Sequence, residues 1–283
     1  MTTDSRRLPW TDRSGHVSPP RAVALAAALL PAAILAARWG TNDLGARPLA
    51  EAIHVSGDWA IRFVLAAIAV TPLARLSGAA RLVGARRTIG LAGLFWATAH
   101  VGLWMVDLGF APAAIAFEAA VRPYLTLGLA GFVGLVAMGL TSTDGMIRRL
   151  GAERWKRLHG LVHPIVILGL VHLTLQSKLD LFQGALLTGL ACGGLAVRVA
   201  VFQRMRLGWG LVAAATLAAV LGAAAWEAAW FALKTGRDVG PILMANLSAA
   251  ARIAPSWWAA GITLGLGVVA LAMRARAGRP SRP

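Results

Sequence analysis

Apolar residues run through this chain in long blocks separated by short basic clusters. Eight blocks stand out, over roughly residues 22–38, 60–76, 89–106, 123–140, 160–176, 180–197, 209–232 and 255–273. A helix rises about 1.5 Å per residue, so such blocks match a hydrocarbon core about 30 Å thick. The pattern predicts an all-α, polytopic membrane helix bundle with eight spans. A turn around Ser177-Lys178-Leu179-Asp180 separates the fifth and sixth blocks, which predicts a helical hairpin. No connecting stretch exceeds about twenty residues, too few for a nucleotide-binding fold. Neither GxGxxG nor GxxxxGK[ST] follows a strand, and Gly265-Leu266-Gly267 lies inside an apolar block. Any pyridine nucleotide is therefore expected on another protein.

Composition supports the membrane reading. The chain is 58% hydrophobic and 14% charged, against about 25% charged in a soluble domain. Cys192 is the single cysteine, which excludes an internal disulfide and a CxxC site. The net charge of +16 is spread in short clusters between spans, as topology signals are, and does not point to nucleic acid. One side of the predicted bundle receives Arg6, Arg7, Arg13, Arg21, Arg75, Arg81, Arg86, Arg87, Arg148, Arg149, Arg154, Lys156 and Arg157. It also receives Arg198, Arg204, Arg206, Arg274, Arg276, Arg279 and Arg282, so it holds 20 of the 28 basic residues. The other side receives Arg38, Arg47, Arg62, Arg122, Lys178, Lys234, Arg237 and Arg252, with most of the acids. The positive-inside rule then predicts that both termini are cytoplasmic. No cleavable signal peptide is expected, because no cleavage site follows the first apolar block.

Histidines inside apolar spans are the candidate chemistry, since ionisable groups in lipid are usually functional. By this topology His159 opens the fifth span at the cytoplasmic face, whereas His100 and His172 lie near the outer ends of the third and fifth. At similar depth on parallel helices, His100 and His172 can ligate one haem iron from opposite sides, which suits electron transfer. Gly90, Gly93, Ala97, Ala99, Gly128, Gly131 and Gly134 would let helices approach closely or leave room for a porphyrin. His159 has no histidine at matching depth on the third span. Arg86, fourteen residues before His100, returns to within about 40° of the same helix face. A permanently charged guanidinium is a poor iron ligand, so Arg86 is expected to hold a haem propionate or a flavin phosphate. On an ideal helix His159 and His172 stand about 140° apart, a phase that Pro164 can change.

Several segments carry a family resemblance. Ile53-His54-Val55-Ser56-Gly57-Asp58-Trp59-Ala60, Arg86-Arg87-Thr88-Ile89-Gly90-Leu91 and Trp96-Ala97-Thr98-Ala99-His100 resemble the MsrQ family, formerly YedZ. So do Arg122-Pro123-Tyr124-Leu125-Thr126-Leu127-Gly128, Thr141-Ser142-Thr143 and Trp155-Lys156-Arg157-Leu158-His159. The resemblance covers roughly residues 20–200 in order. It implies a six-helix, ferric-reductase-like haem-binding domain over residues 22–200. This would follow a basic leader (1–21) and precede a two-helix extension (201–283). It further implies one or two b haems, with His100, His159 and His172 as the haem-associated histidines, and FMN. Electrons would pass from the quinone pool, or from a cytosolic flavin reductase, across the bacterial inner membrane. The acceptor would be a periplasmic, MsrP-like molybdopterin subunit that reduces methionine sulfoxide in proteins. The chain departs from the family at His163, where an aromatic residue is usual, and from about residue 207 onward.

Plainer roles are expected for other polar groups. His54 reads as interfacial, His16 as solvated, and His163 as a packing or hydrogen-bonding residue, although its i,i+4 spacing from His159 is also a metal-ligand spacing. Glu227, flanked by Trp226 and Trp230, reads as structural, with Lys234 seven residues on along the same face. Two rival functions remain: a transporter using buried His and Glu227, and a stand-alone ferric or cupric reductase. The first predicts broken helices and inverted repeats, and no internal repeat is visible.

Overall fold

Proline opens five helices in a computed structural model of the chain, which describes residues 8, 10, 11, 14–177, 180–248 and 254–277. A first-turn proline sacrifices no intrahelical hydrogen bond, because its missing N–H would have had no partner there. The helices are α1 (Pro19–Gly40), α2 (Pro48–Ser77), α3 (Arg86–Asp107), α4 (Pro112–Val121), α5 (Pro123–Leu140) and α6 (Asp144–Leu150). They continue as α7 (Ala152–Gly160), α8 (Val162–Gln176), α9 (Phe182–Phe202), α10 (Trp209–Thr235), α11 (Val239–Leu247) and α12 (Pro255–Ala277). A 3-10 turn (Ala80–Ala85) precedes α3. Eight segments are long and apolar enough to cross a membrane, and no strand occurs among the described residues. Arg6, Arg7, Arg13, Lys178, Leu179, Arg252, Arg279 and Arg282 lie outside the described residues.

The structure differs from the sequence expectation in three places. The second span begins at Pro48 rather than near residue 60, because the polar residues between them interrupt the apolar run without breaking the helix. Three connections contain four short helices, α4, α6 with α7, and α11, that hydropathy alone passes over. Gly151 separates α6 from α7 at φ 77°, a left-handed backbone that favours glycine. Third, the fifth span covers Ala152–Gln176 with a turn at Leu161 between α7 and α8, so His159 lies on α7 instead of opening α8. Pro164 has no N–H to give the Gly160 carbonyl four residues earlier. His163 Nδ1 donates to that carbonyl instead, at 3.0 Å.

The described residues form two units, one drawn from within 1–67 and 84–172, the other from within 68–83 and 173–283. In the first, Trp96 of α3 is almost fully buried and its indole N–H donates to Ala28 O of α1 at 3.2 Å. Ala60, Phe63, Ala92 and Ala97 pack around it. Glycine sets the close approaches: a Cβ on Gly93 would lie 2.8 Å from Val64, and one on Gly134 would lie 2.7 Å from Ile165. At Gly90 and Gly131 the same atom would make ordinary contact at 3.9 Å.

In the second unit α9, α10 and α12 pack through small residues, with Ala219, Ala223 and Ala259 fully buried. Trp226 Nε1 donates to Thr174 Oγ1 at 2.9 Å. Glu227 accepts from Asn246 Nδ2 at 3.0 Å, and Ser256 donates to Asn246 O at 2.6 Å, which ties α11 to α10 and α12. Lys234 turns to the Trp230 ring, 5.4 Å from its centre. Glu227 thus has a structural partner, on α11.

The three-helix contact yields a stability prediction. A Cβ at Gly189 would stand 2.6 Å from Ala219 O and 2.9 Å from the β-carbons of Ala223 and Ala259, none of which can rotate away. Gly189→Ala is expected to destabilise the fold by about 1–3 kcal/mol. Gly194→Ala, on the same helix with open space around it, should be neutral or stabilising by up to about 1 kcal/mol. Thermal unfolding in detergent measures both.

Candidate metal centre

The first unit brings the rings of His100 on α3 and His172 on α8 together, with centres 6.1 Å apart and planes at 80°. Each ring is held from behind by a helix carbonyl. His100 Nδ1 lies 2.7 Å from Ile53 O on α2, and His172 Nδ1 lies 2.7 Å from Tyr124 O on α5. A carbonyl can only accept, so each Nδ1 carries the proton and each Nε2 presents a bare lone pair. Neither Nε2 makes a hydrogen bond among the described residues. A carbonyl behind the distal nitrogen is the usual support of a metal-bound histidine, fixing both tautomer and ring orientation.

The spacing suits a metal between the rings. Two metal–imidazole bonds of about 2.0 Å, with about 1.2 Å from each nitrogen to its ring centre, separate coaxial ligand rings by about 6.4 Å. No cluster of three or more His, Cys, Asp or Glu exists among the described residues. A structural zinc site, which needs four ligands, is therefore a poor match. Two opposed imidazoles fit a metal whose equatorial positions are filled by a macrocycle, as in a bis-histidine haem.

A second constellation forms at the other end of α3, about 21 Å from His100 at the helical rise between Arg86 and His100. Trp155 stacks on His159 with ring centres 4.0 Å apart. Its indole N–H donates to Thr141 O at 3.0 Å. Thr141 sends its hydroxyl proton to Ala137 O at 2.8 Å, so His159 Nε2 donates to Thr141 Oγ1, 3.2 Å away. His159 therefore does not present a bare Nε2 as His100 and His172 do. Arg86 and Arg87 are its charged neighbours. Arg87 bridges to Asp144 at 2.5 Å, beside Thr143, whose hydroxyl caps α6 by accepting from Met146 N.

His54 is exposed on the first turns of α2. The sequence reading missed the carbonyls of Ile53 and Tyr124, and it missed Thr141 and Trp155 as partners of His159. The i,i+4 spacing of Trp155 and His159, which places both on one helix face, was the available signal for the last of these.

Residues 56–170 match the family described as ferric reductase like transmembrane component, a stretch that holds His100 and His159 and ends two residues before His172. The protein-methionine-sulfoxide reductase heme-binding subunit MsrQ of Xanthomonas oryzae pv. oryzae is 40% identical over 172 residues, 58% of this chain and 78% of that protein. The protein of the same description from Rhodospirillum rubrum is 37% identical over 196 residues, 69% of this chain and 92% of that protein. That from Ralstonia nicotianae is 40% identical over 146 residues, 51% and 67% of the two chains. No solved structure matches the chain.

The Thr141–His159 contact can be tested by itself. Thr141→Val keeps the side-chain shape and removes the hydroxyl, and is expected to destabilise by about 1 kcal/mol. In a His159→Ala background the same change should have a smaller effect, because the donor is gone. Thermal unfolding of the four proteins in a double-mutant cycle gives the coupling.

Proposed function

The chain belongs to the MsrQ family of membrane subunits, and we propose that it binds one b-type haem between His100 and His172 and conducts electrons across the bacterial inner membrane. The observation that carries this reading is the 6.1 Å ring separation with both Nδ1 protons committed to helix carbonyls. When bound, the haem supplies reversible one-electron chemistry, while the protein provides ligands, orientation and a low-dielectric surround. The Ile53 and Tyr124 carbonyls hold the two rings ready, so little reorganisation accompanies ligation. His100 and His172 together would hold the haem iron, a ligand pair that would favour electron transfer over ligand activation.

The asymmetry of Lys and Arg supports cytoplasmic termini, with the His100–His172 end toward the periplasm and the Arg86–His159 end toward the cytoplasm. The acceptor is then a periplasmic, MsrP-like molybdopterin methionine sulfoxide reductase, docking on the connection from Asp107 to Arg122 that contains α4. The donor is quinol from the bilayer or a cytosolic flavin reductase. FMN is assigned to the Arg86 end, where a guanidinium suits its phosphate and the stacked Trp155–His159 rings suit its isoalloxazine. A second haem on His159 is disfavoured by the donation from Nε2 to Thr141.

The absorption spectrum of purified, dithionite-reduced protein tests this. Reduced b-haem bands are expected in the wild type and in His54→Ala, and they should be lost in His100→Ala and in His172→Ala. A wild-type protein without those bands would sink the electron-transfer reading.

A further inference from the structure

Each ligand ring sits on a glycine, and the two seats share that feature, while His100 shares Ile53 O with the Ser56 hydroxyl, which donates to it at 2.9 Å. A Cβ on Gly57 would lie 2.9 Å from His100 Nδ1 and 3.0 Å from Cε1. One on Gly128 would lie 2.9 Å from both Nδ1 and Cε1 of His172. In both cases the accepting carbonyl belongs to the residue four positions earlier on the same helix, Ile53 before Gly57 and Tyr124 before Gly128.

Helix geometry explains the repeat. The carbonyl of residue i already accepts the N–H of residue i+4 and keeps one lone pair. The Cα–Cβ bond tilts toward the helix N-terminus, so the side chain of residue i+4 lies over the turn that carries this carbonyl. Glycine at i+4 uncovers the lone pair and lets an imidazole from the neighbouring helix lie edge-on against the backbone. An interior glycine is unfavourable in a helix relative to alanine, so two at the same register relative to the two acceptors call for a local cause.

We infer that Gly57 and Gly128 are positioning residues for the metal-ligand imidazoles, acting as windows through which the Ile53 and Tyr124 carbonyls reach the Nδ1 protons. The inference rests on the haem assignment for its redox consequence only. The Nδ1–H···O=C bond raises the basicity of the opposite nitrogen and favours the ferric state. Alanine at either position pushes the ring off its carbonyl, weakens that bond and raises the midpoint potential.

The test is a redox titration of Gly57→Ala and Gly128→Ala in the full-length, membrane-extracted protein. Gly194→Ala and Gly265→Ala serve as controls, because a Cβ there meets open space. A raised potential in the first two, with the controls at the wild-type value, is the expected result. Potentials equal to those of the controls overturn the inference. Should Gly57→Ala fail to accumulate in membranes, the double variant Gly57→Ala/His100→Ala decides, since truncating the ring removes the clash. Recovered accumulation supports the window, and continued failure overturns it. A wild type without haem would sink the proposed function separately, leaving the accumulation comparison as the test of the steric claim.

Discussion

An imidazole that is to offer one bare nitrogen inside a membrane must place the proton of its other nitrogen on an acceptor, and lipid provides none. In this chain the acceptors are two helix carbonyls, Ile53 on α2, which also accepts from the Ser56 hydroxyl, and Tyr124 on α5. That constraint sets the tautomer, aims the lone pair and links each ligand helix to a neighbour, α3 to α2 and α8 to α5. It also uses the backbone without breaking it, since each carbonyl retains its bond within the helix. An unsatisfied polar group in a bilayer costs several kcal/mol. A misplaced ring would therefore forfeit both its bond and its direction.

The two ends of the first unit have different chemistry. At one end two imidazoles oppose each other with proton positions fixed by acceptors that cannot donate. At the other, His159 is a donor to Thr141, stacked on Trp155 and close to two guanidinium groups. A metal site is served by the first arrangement, and an anionic or aromatic group by the second. This division agrees with the sequence, which already set His159 against Arg86 rather than against a fourth histidine.

Hydropathy revealed the eight spans because blocks of apolar residues near the thickness of a bilayer leave few alternatives. Depth along a helix was equally legible, since rise per residue is constant, and it paired His100 with His172. What held the rings was not legible. The acceptors are backbone atoms of Ile53 and Tyr124, whose side chains signal nothing, and the seats are glycines among many other glycines in apolar helices. The turn at Leu161 was hidden for a similar reason: Pro164 was visible, but only the structure showed His163 bonding the carbonyl that proline leaves unpaired. Glu227 was legible as an acid inside an apolar span, while its partner Asn246 lay on a short helix that no long apolar run announces.

The central claim is that His100 and His172 bind one iron with their planes held near the 80° set by the two carbonyls. In a low-spin ferric haem the angle between axial imidazole planes governs the splitting of the iron d-orbitals, and the electron paramagnetic resonance spectrum reports it directly. Frozen, oxidised protein should give the strongly anisotropic low-spin signal of near-perpendicular imidazoles. A high-spin signal, or the rhombic low-spin signal of parallel rings, would contradict the account.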